Sequence, residues 1–111
     1  MGGGSVTPMR IVLCNAPPAE AENLAQILVE ERLAACVNLM PVRSVYRWQG
    51  AVLQESEVTL LIKVSASRVS ELRERIVQLH SYEVPEVVVL EVSTAESLAS
   101  YVAFVRDSCL P

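Results

Sequence analysis

A chain of 111 residues with 51% apolar content is long enough to bury one hydrophobic core and too short for two. Its net charge of -4, with nine basic side chains scattered along the chain, excludes the clustered basic footprint that phosphate backbones require, and no apolar run approaches the roughly 18 residues of a membrane span. Three cysteines, Cys14, Cys36 and Cys109, stand without CxxC spacing, which argues against a disulfide framework or a zinc knuckle and suits reduced thiols in a cytoplasmic protein.

Residues 1–9 open on MGGGSVT, a composition that predicts a flexible segment and leaves 10–111 as the single domain. Arg10 to Cys14 is a short β-branched run that stops at Asn15-Ala16-Pro17-Pro18, where the prolines suit the first turn of a helix. Ala21, Leu24, Ala25 and Leu28 then recur at i, i+3, i+4 and i+7, predicting an amphipathic helix to about Leu33. A long second strand follows from Cys36 to Trp48, with a break or bulge expected at Pro41, and Gln49-Gly50 reads as a turn. From Ala51 the chain returns, and Val58, Leu60, Ile62 and Val64 alternate with polar residues as a strand covered on one face.

Ser67 is placed to cap a second helix with Val69, Leu72, Ile76 and Leu79 on one face, and Glu71 precedes Arg75 by four residues as a helical pair. Val87 to Val92 reads as a fourth strand, apolar enough to lie under cover. Ser93 to Glu96 reads as a capping box opening a last helix. The order is βαββαβ plus a C-terminal helix, which predicts a ferredoxin-like α+β sandwich with an antiparallel sheet and a long β2–β3 hairpin. In that topology Cys14, the sole histidine His80 and the hairpin tip all lie toward one end of the sheet.

The stretches ERLAACVN, VYRWQG, SEVTLLIK and LHSYEVPEVV, in this order from about residue 11 to 106, resemble the CutA divalent-cation-tolerance family. Ser81 stands where that family usually has proline, and Phe104 where tryptophan is common. The resemblance implies a homotrimer of ferredoxin-like subunits with hairpins pairing across subunits, an association with copper or other divalent metals, and a likeness to PII signalling proteins. It also implies that Cys14 and His80 are metal ligands, as in a branch of the family that carries these residue types.

Thiolate and imidazole favour copper or zinc over magnesium or calcium, although one of each per subunit leaves a four-coordinate site incomplete. Residue chemistry alone favours Cys14 as a core residue and His80 as a helix-terminal one, and the resemblance brings the ligand reading level with it. Tyr46 and Trp48 read as interface anchors near the hairpin tip. Glu57, Lys63, Tyr82, Glu83 and Glu86 read as the lining of a cleft between subunits that takes a small polar ligand. No nucleophile–base motif surrounds the single histidine, and the segment after the first strand lacks the arginine and glycine-rich cradle of an acylphosphatase. Two functions are thus expected: a trimeric copper-type metal-binding protein of cation homeostasis, or a PII-like regulatory module binding a small polar ligand at subunit interfaces.

Overall fold

A computed structural model describes residues 7–111; residues 1–6, most of the segment expected to be flexible, lie outside the described residues. The elements are β1 (Met9–Ala16), α1 (Pro18–Glu30), β2 (Cys36–Trp48), β3 (Ala51–Ser65), α2 (Val69–Leu79), β4 (Val88–Glu91) and α3 (Ala99–Ser108). They build a four-stranded antiparallel sheet in the order β2-β3-β1-β4, the ferredoxin-like arrangement. Strand β1 begins at Met9, one residue earlier than expected, because that side chain is buried in the core.

Register explains which residues form the core. Val12, Cys14 and Ala16 stand opposite Ile62, Leu60 and Val58, and this face buries Leu24 and Leu28 of α1 with Leu72 and Ile76 of α2. The strict alternation along β3 is what makes one of its faces dry. Helix α1 ends at Glu30 rather than Leu33, and Arg32 takes a left-handed conformation with φ 60. Leu33, Ala34 and Ala35 nevertheless fold back into the core, which is why the apolar period runs on past the helix.

Strand β2 is unbroken: Pro41 pairs with Val58 inside a continuous ladder and makes no bulge. Because β2 is an edge strand, the missing N–H of Pro41 can face outward without costing a ladder bond. Strand β1 pairs with β3 only as far as Ala16 and Val58, so the hairpin continues alone from Val42 to Trp48 and back from Ala51 to Glu57. Seven residues at about 3.3 Å each project roughly 23 Å past the body of the sheet, and the described residues span 56 × 25 × 21 Å.

Four local expectations are corrected. A 3-10 turn over Ala66–Arg68 opens α2, and Ser67 makes no cap but meets the Ser65 hydroxyl. Glu71 pairs with Arg68, while Arg75 makes a forked bond to Glu31, the C-cap of α1, a contact between helices that a single-helix spacing rule does not see. Strand β4 lies beside β1 at the other sheet edge, as the topology predicts, but it is short and exposed along its length rather than covered. Ser93 does bond Glu96, but α3 begins only at Ala99 after an intervening 3-10 turn.

Candidate functional site

The C-terminal end of α2 is fastened to the end of β1. His80 is the C-cap of α2 and is buried, with 8% of its surface exposed. Its Nε2 donates to the main-chain oxygen of Asn15 at 2.7 Å, and its Nδ1 accepts the Tyr82 N–H at 3.1 Å. A carbonyl can only accept and an amide N–H can only donate, so the ring is the neutral tautomer with its proton on Nε2. Both ring nitrogens are thereby committed to the backbone.

Cys14 is fully buried on the helix-covered face of the sheet. Its Sγ lies 3.8 Å from the same Asn15 oxygen. Burial, reinforced by the negative charges of Glu86 and Glu57, pushes its thiol up to about 12, so at neutral pH it is protonated. Cys14 and His80 do stand together, but as two donors directed at one acceptor. Neither turns a lone pair toward an ion, and among the described residues no three His, Cys, Asp or Glu side chains are grouped to hold one. In this arrangement the pair does not fit a copper or zinc ion.

The opposite face of the sheet carries a cleft of ≈ 670 Å³ at the root of the projecting hairpin. Cross-strand pairing sets its floor: Asn15 faces Thr59, Glu57 faces Val42, and Ser44 and Tyr46 follow on β2. Thr59 donates to Asn15 Oδ1 at 2.6 Å. The segment after His80 passes over the end of β1 and brings Tyr82, Glu83 and Glu86 to the rim. Tyr82 donates its phenol proton to Glu57 Oε2 at 2.7 Å, and burial followed by this bond raises the Tyr82 hydroxyl well above its usual range. Glu57 keeps only 6% of its surface exposed.

Of the residues expected to line a cleft, Glu57, Tyr82, Glu83 and Glu86 are brought together, and Tyr46 and Trp48, expected as interface anchors, line the same cleft. Lys63 is not: it pairs across from Cys36 at the hairpin's base and hydrogen-bonds Asn38. Asn15, Ser44 and Ser81 also line the cleft. For Asn15 a signal was present, a polar residue closing an apolar strand just before two prolines; Ser44 and Ser81 carry none.

A ferredoxin-like sheet with a hairpin outrunning the body of its own fold, and a carboxylate- and aromatic-lined cleft at the hairpin's root, defines a small α+β protein of PII-like fold. The family model described as CutA1 divalent ion tolerance protein matches residues 10–108, and the chain belongs to that family. It is 44% identical over 100 residues to the divalent-cation tolerance protein CutA of Thermus thermophilus, covering 88% of this chain and 95% of that one. The structure of the PII-like protein CutA from Nostoc sp. PCC 7120 in apo form superposes with a TM-score of 0.89 at 48% identity, covering 91% of this chain and 97% of that one. The periplasmic divalent cation tolerance protein CutA from Archaeoglobus fulgidus superposes with a TM-score of 0.87 at 26% identity, covering 92% and 99%.

Proposed function

We propose that this chain is the subunit of a homotrimeric, PII-like regulatory module of the divalent-ion-tolerance family, which takes a small polar ligand in the cleft beneath its hairpin. The observation that carries the reading is the cleft itself: a nearly buried Glu57 held by Tyr82, beside polar and aromatic side chains from three elements. Polar groups converging from separate strands and a loop onto one concavity are the usual make-up of a ligand site. The projecting hairpin supports the trimer, since its outer half has no partner within its own subunit and would close against neighbours. Three free cysteines support a reducing, cytoplasmic location.

Direct copper-type binding by Cys14 and His80 is the second reading, supported by the family's description and by the closeness of the two side chains. It requires the thiol to lose its proton and His80 to release a backbone bond before either can ligate. Calorimetric titration of the reduced protein with copper and zinc, beside Cys14→Ala and His80→Ala, separates the two. The cleft reading expects weak metal binding that both variants retain. Tight metal binding abolished by both variants would reverse the choice.

A further inference from the structure

The cleft is electrically one-sided. Its lining includes Glu57, Glu83 and Glu86 but no lysine or arginine. Among the described residues, ion pairs join Arg68 to Glu71, Arg75 to Glu31 and Arg106 to Asp107, and none reaches the cleft. Glu57 accepts a bond from Tyr82 on Oε2, while no described residue donates to its Oε1. Glu57 is nearly buried as a residue, and its unpartnered Oε1 is left open to the cleft with no cation beside it. The raised thiol of Cys14, which responds to Glu86 and Glu57 from the far side of the sheet, registers the same negative field.

The walls narrow the ligand class. Tyr46, Trp48 and Tyr82 contribute three aromatic rings, and ring faces attract ammonium groups as they do not attract neutral or anionic ligands. A bare divalent cation needs six or more close oxygens for calcium, or near-ideal octahedral geometry for magnesium. These carboxylates do not gather that closely, since no three acidic, thiol or imidazole side chains among the described residues form a metal-sized group. An elongated organic cation can meet separated carboxylates and lie along the rings at once.

We infer that the cleft is a site for a small primary alkylammonium ligand, with Glu57 accepting its hydrogen bonds and Tyr46, Trp48 and Tyr82 flanking its chain. This rests on the small-ligand reading of the cleft and gives that ligand a charge. Protonated amines would donate to Glu57 Oε1, the acceptor Tyr82 leaves open, and Glu83 and Glu86 at the rim would draw the second charge of a diamine.

The test is calorimetry on the full chain at fixed ionic strength with 1,4-diaminobutane, its neutral counterpart 1,4-butanediol, and ATP as a polyanion. The diamine is expected to bind and the diol and ATP not to. Glu57→Gln should weaken diamine binding about tenfold or more, the size of one charge-assisted bond. Glu86→Gln, at an exposed position that leaves folding undisturbed, should weaken it to a smaller degree. Tyr82→Phe should retain binding, because it frees Glu57 rather than removing it. Binding of ATP with indifference to the diamine would overturn the inference while leaving a ligand cleft in place. Equal binding of diamine and diol would overturn it in the same way. Failure of all three probes, with Glu57→Gln more heat-stable than the parent, would overturn both this inference and the cleft reading beneath it.

Discussion

His80 Nε2 and the Asn15 carbonyl oxygen meet at 2.7 Å across 65 residues of sequence, and this bond joins the end of α2 to the end of β1. The other ring nitrogen holds the Tyr82 N–H, so one side chain satisfies a strand-end acceptor and a loop donor together. His80→Ala removes both partners from a nearly buried site and is expected to cost about 1–3 kcal/mol. Chemical denaturation should show a lower midpoint with an unchanged slope, and the amide of Tyr82 should lose its protection from hydrogen exchange. An unaltered midpoint would mean that water replaces the imidazole at no cost.

Cys14 gives a prediction in alkali. In the unfolded chain its thiol ionises near 9.0, whereas in the folded protein burial and the nearby Glu86 and Glu57 hold it to about 12. Between those values the unfolded state has lost a proton that the folded state keeps. Stability therefore falls with rising pH, at up to about 1.4 kcal/mol per pH unit from this group. Tyr82 is also raised, by burial and then by its bond to Glu57, and adds a loss of the same sign above its own unfolded value. Urea midpoints measured from pH 8 to 11 should decline, and Cys14→Ala should flatten the first part of that decline. Alkylating reagents at pH 8 should leave Cys14 unmodified until the chain unfolds.

What the sequence discloses and conceals follows from the range of each interaction. Leu60, Ile62 and Val64 alternate with polar residues, and α1 repeats its apolar positions every three or four residues, so both elements announce themselves locally. The same periodicity overran α1, because Leu33 is buried by the turn after the helix and Arg32, not a glycine, takes the left-handed position. Pro41 looked like a breaker because its tolerance depends on β2 being an edge, a property of the whole sheet. Lys63 was expected in the cleft on charge alone, yet strand register sets it opposite Cys36, several residues from Glu57. Tyr82 and Glu57 are 25 positions apart, and only the passage of the chain over the end of β1 makes them a pair.

The hairpin tip offers a test free of packing. Gln49 and Gly50 have φ values of 49 and 81 between the paired residues Trp48 and Ala51, a two-residue turn whose hand matches the twist of the strands. A Cβ at Gly50 would meet nothing within 4 Å, so Gly50→Ala carries only the backbone cost of a left-handed conformation, about 1–2 kcal/mol. Gln49→Asn should act oppositely and gain a few tenths of a kcal/mol, since asparagine tolerates that conformation better. Thermal unfolding of the two variants should shift in opposite directions; a shift in the same direction would mean that the tip is held by contacts from another subunit.

Assembly is the most direct consequence of the hairpin's length. Beyond Ala16 of β1 its outer half has no third strand beside it, and Val45 and Val52 are left 65% and 60% exposed with Trp48 close by. At the other edge β4 exposes Val88, Val89 and Leu90. A long apolar ribbon and a bare apolar edge strand on one chain invite open-ended pairing unless both are covered by closed association. Cyclic closure of three copies, as the proposed function requires, would cover both surfaces if each hairpin met a neighbour's open edge. Light scattering at micromolar concentration should give a mass of about 36 kDa, three times the 12.1 kDa chain. Trp48→Ala should raise the concentration below which the trimer dissociates, and Val89→Lys, which places a charge on the β4 edge, should do the same from the other edge of the sheet. A monomer of unchanged stability would remove the trimer from the proposal, while a species that grows without limit would show that the two surfaces pair but do not close.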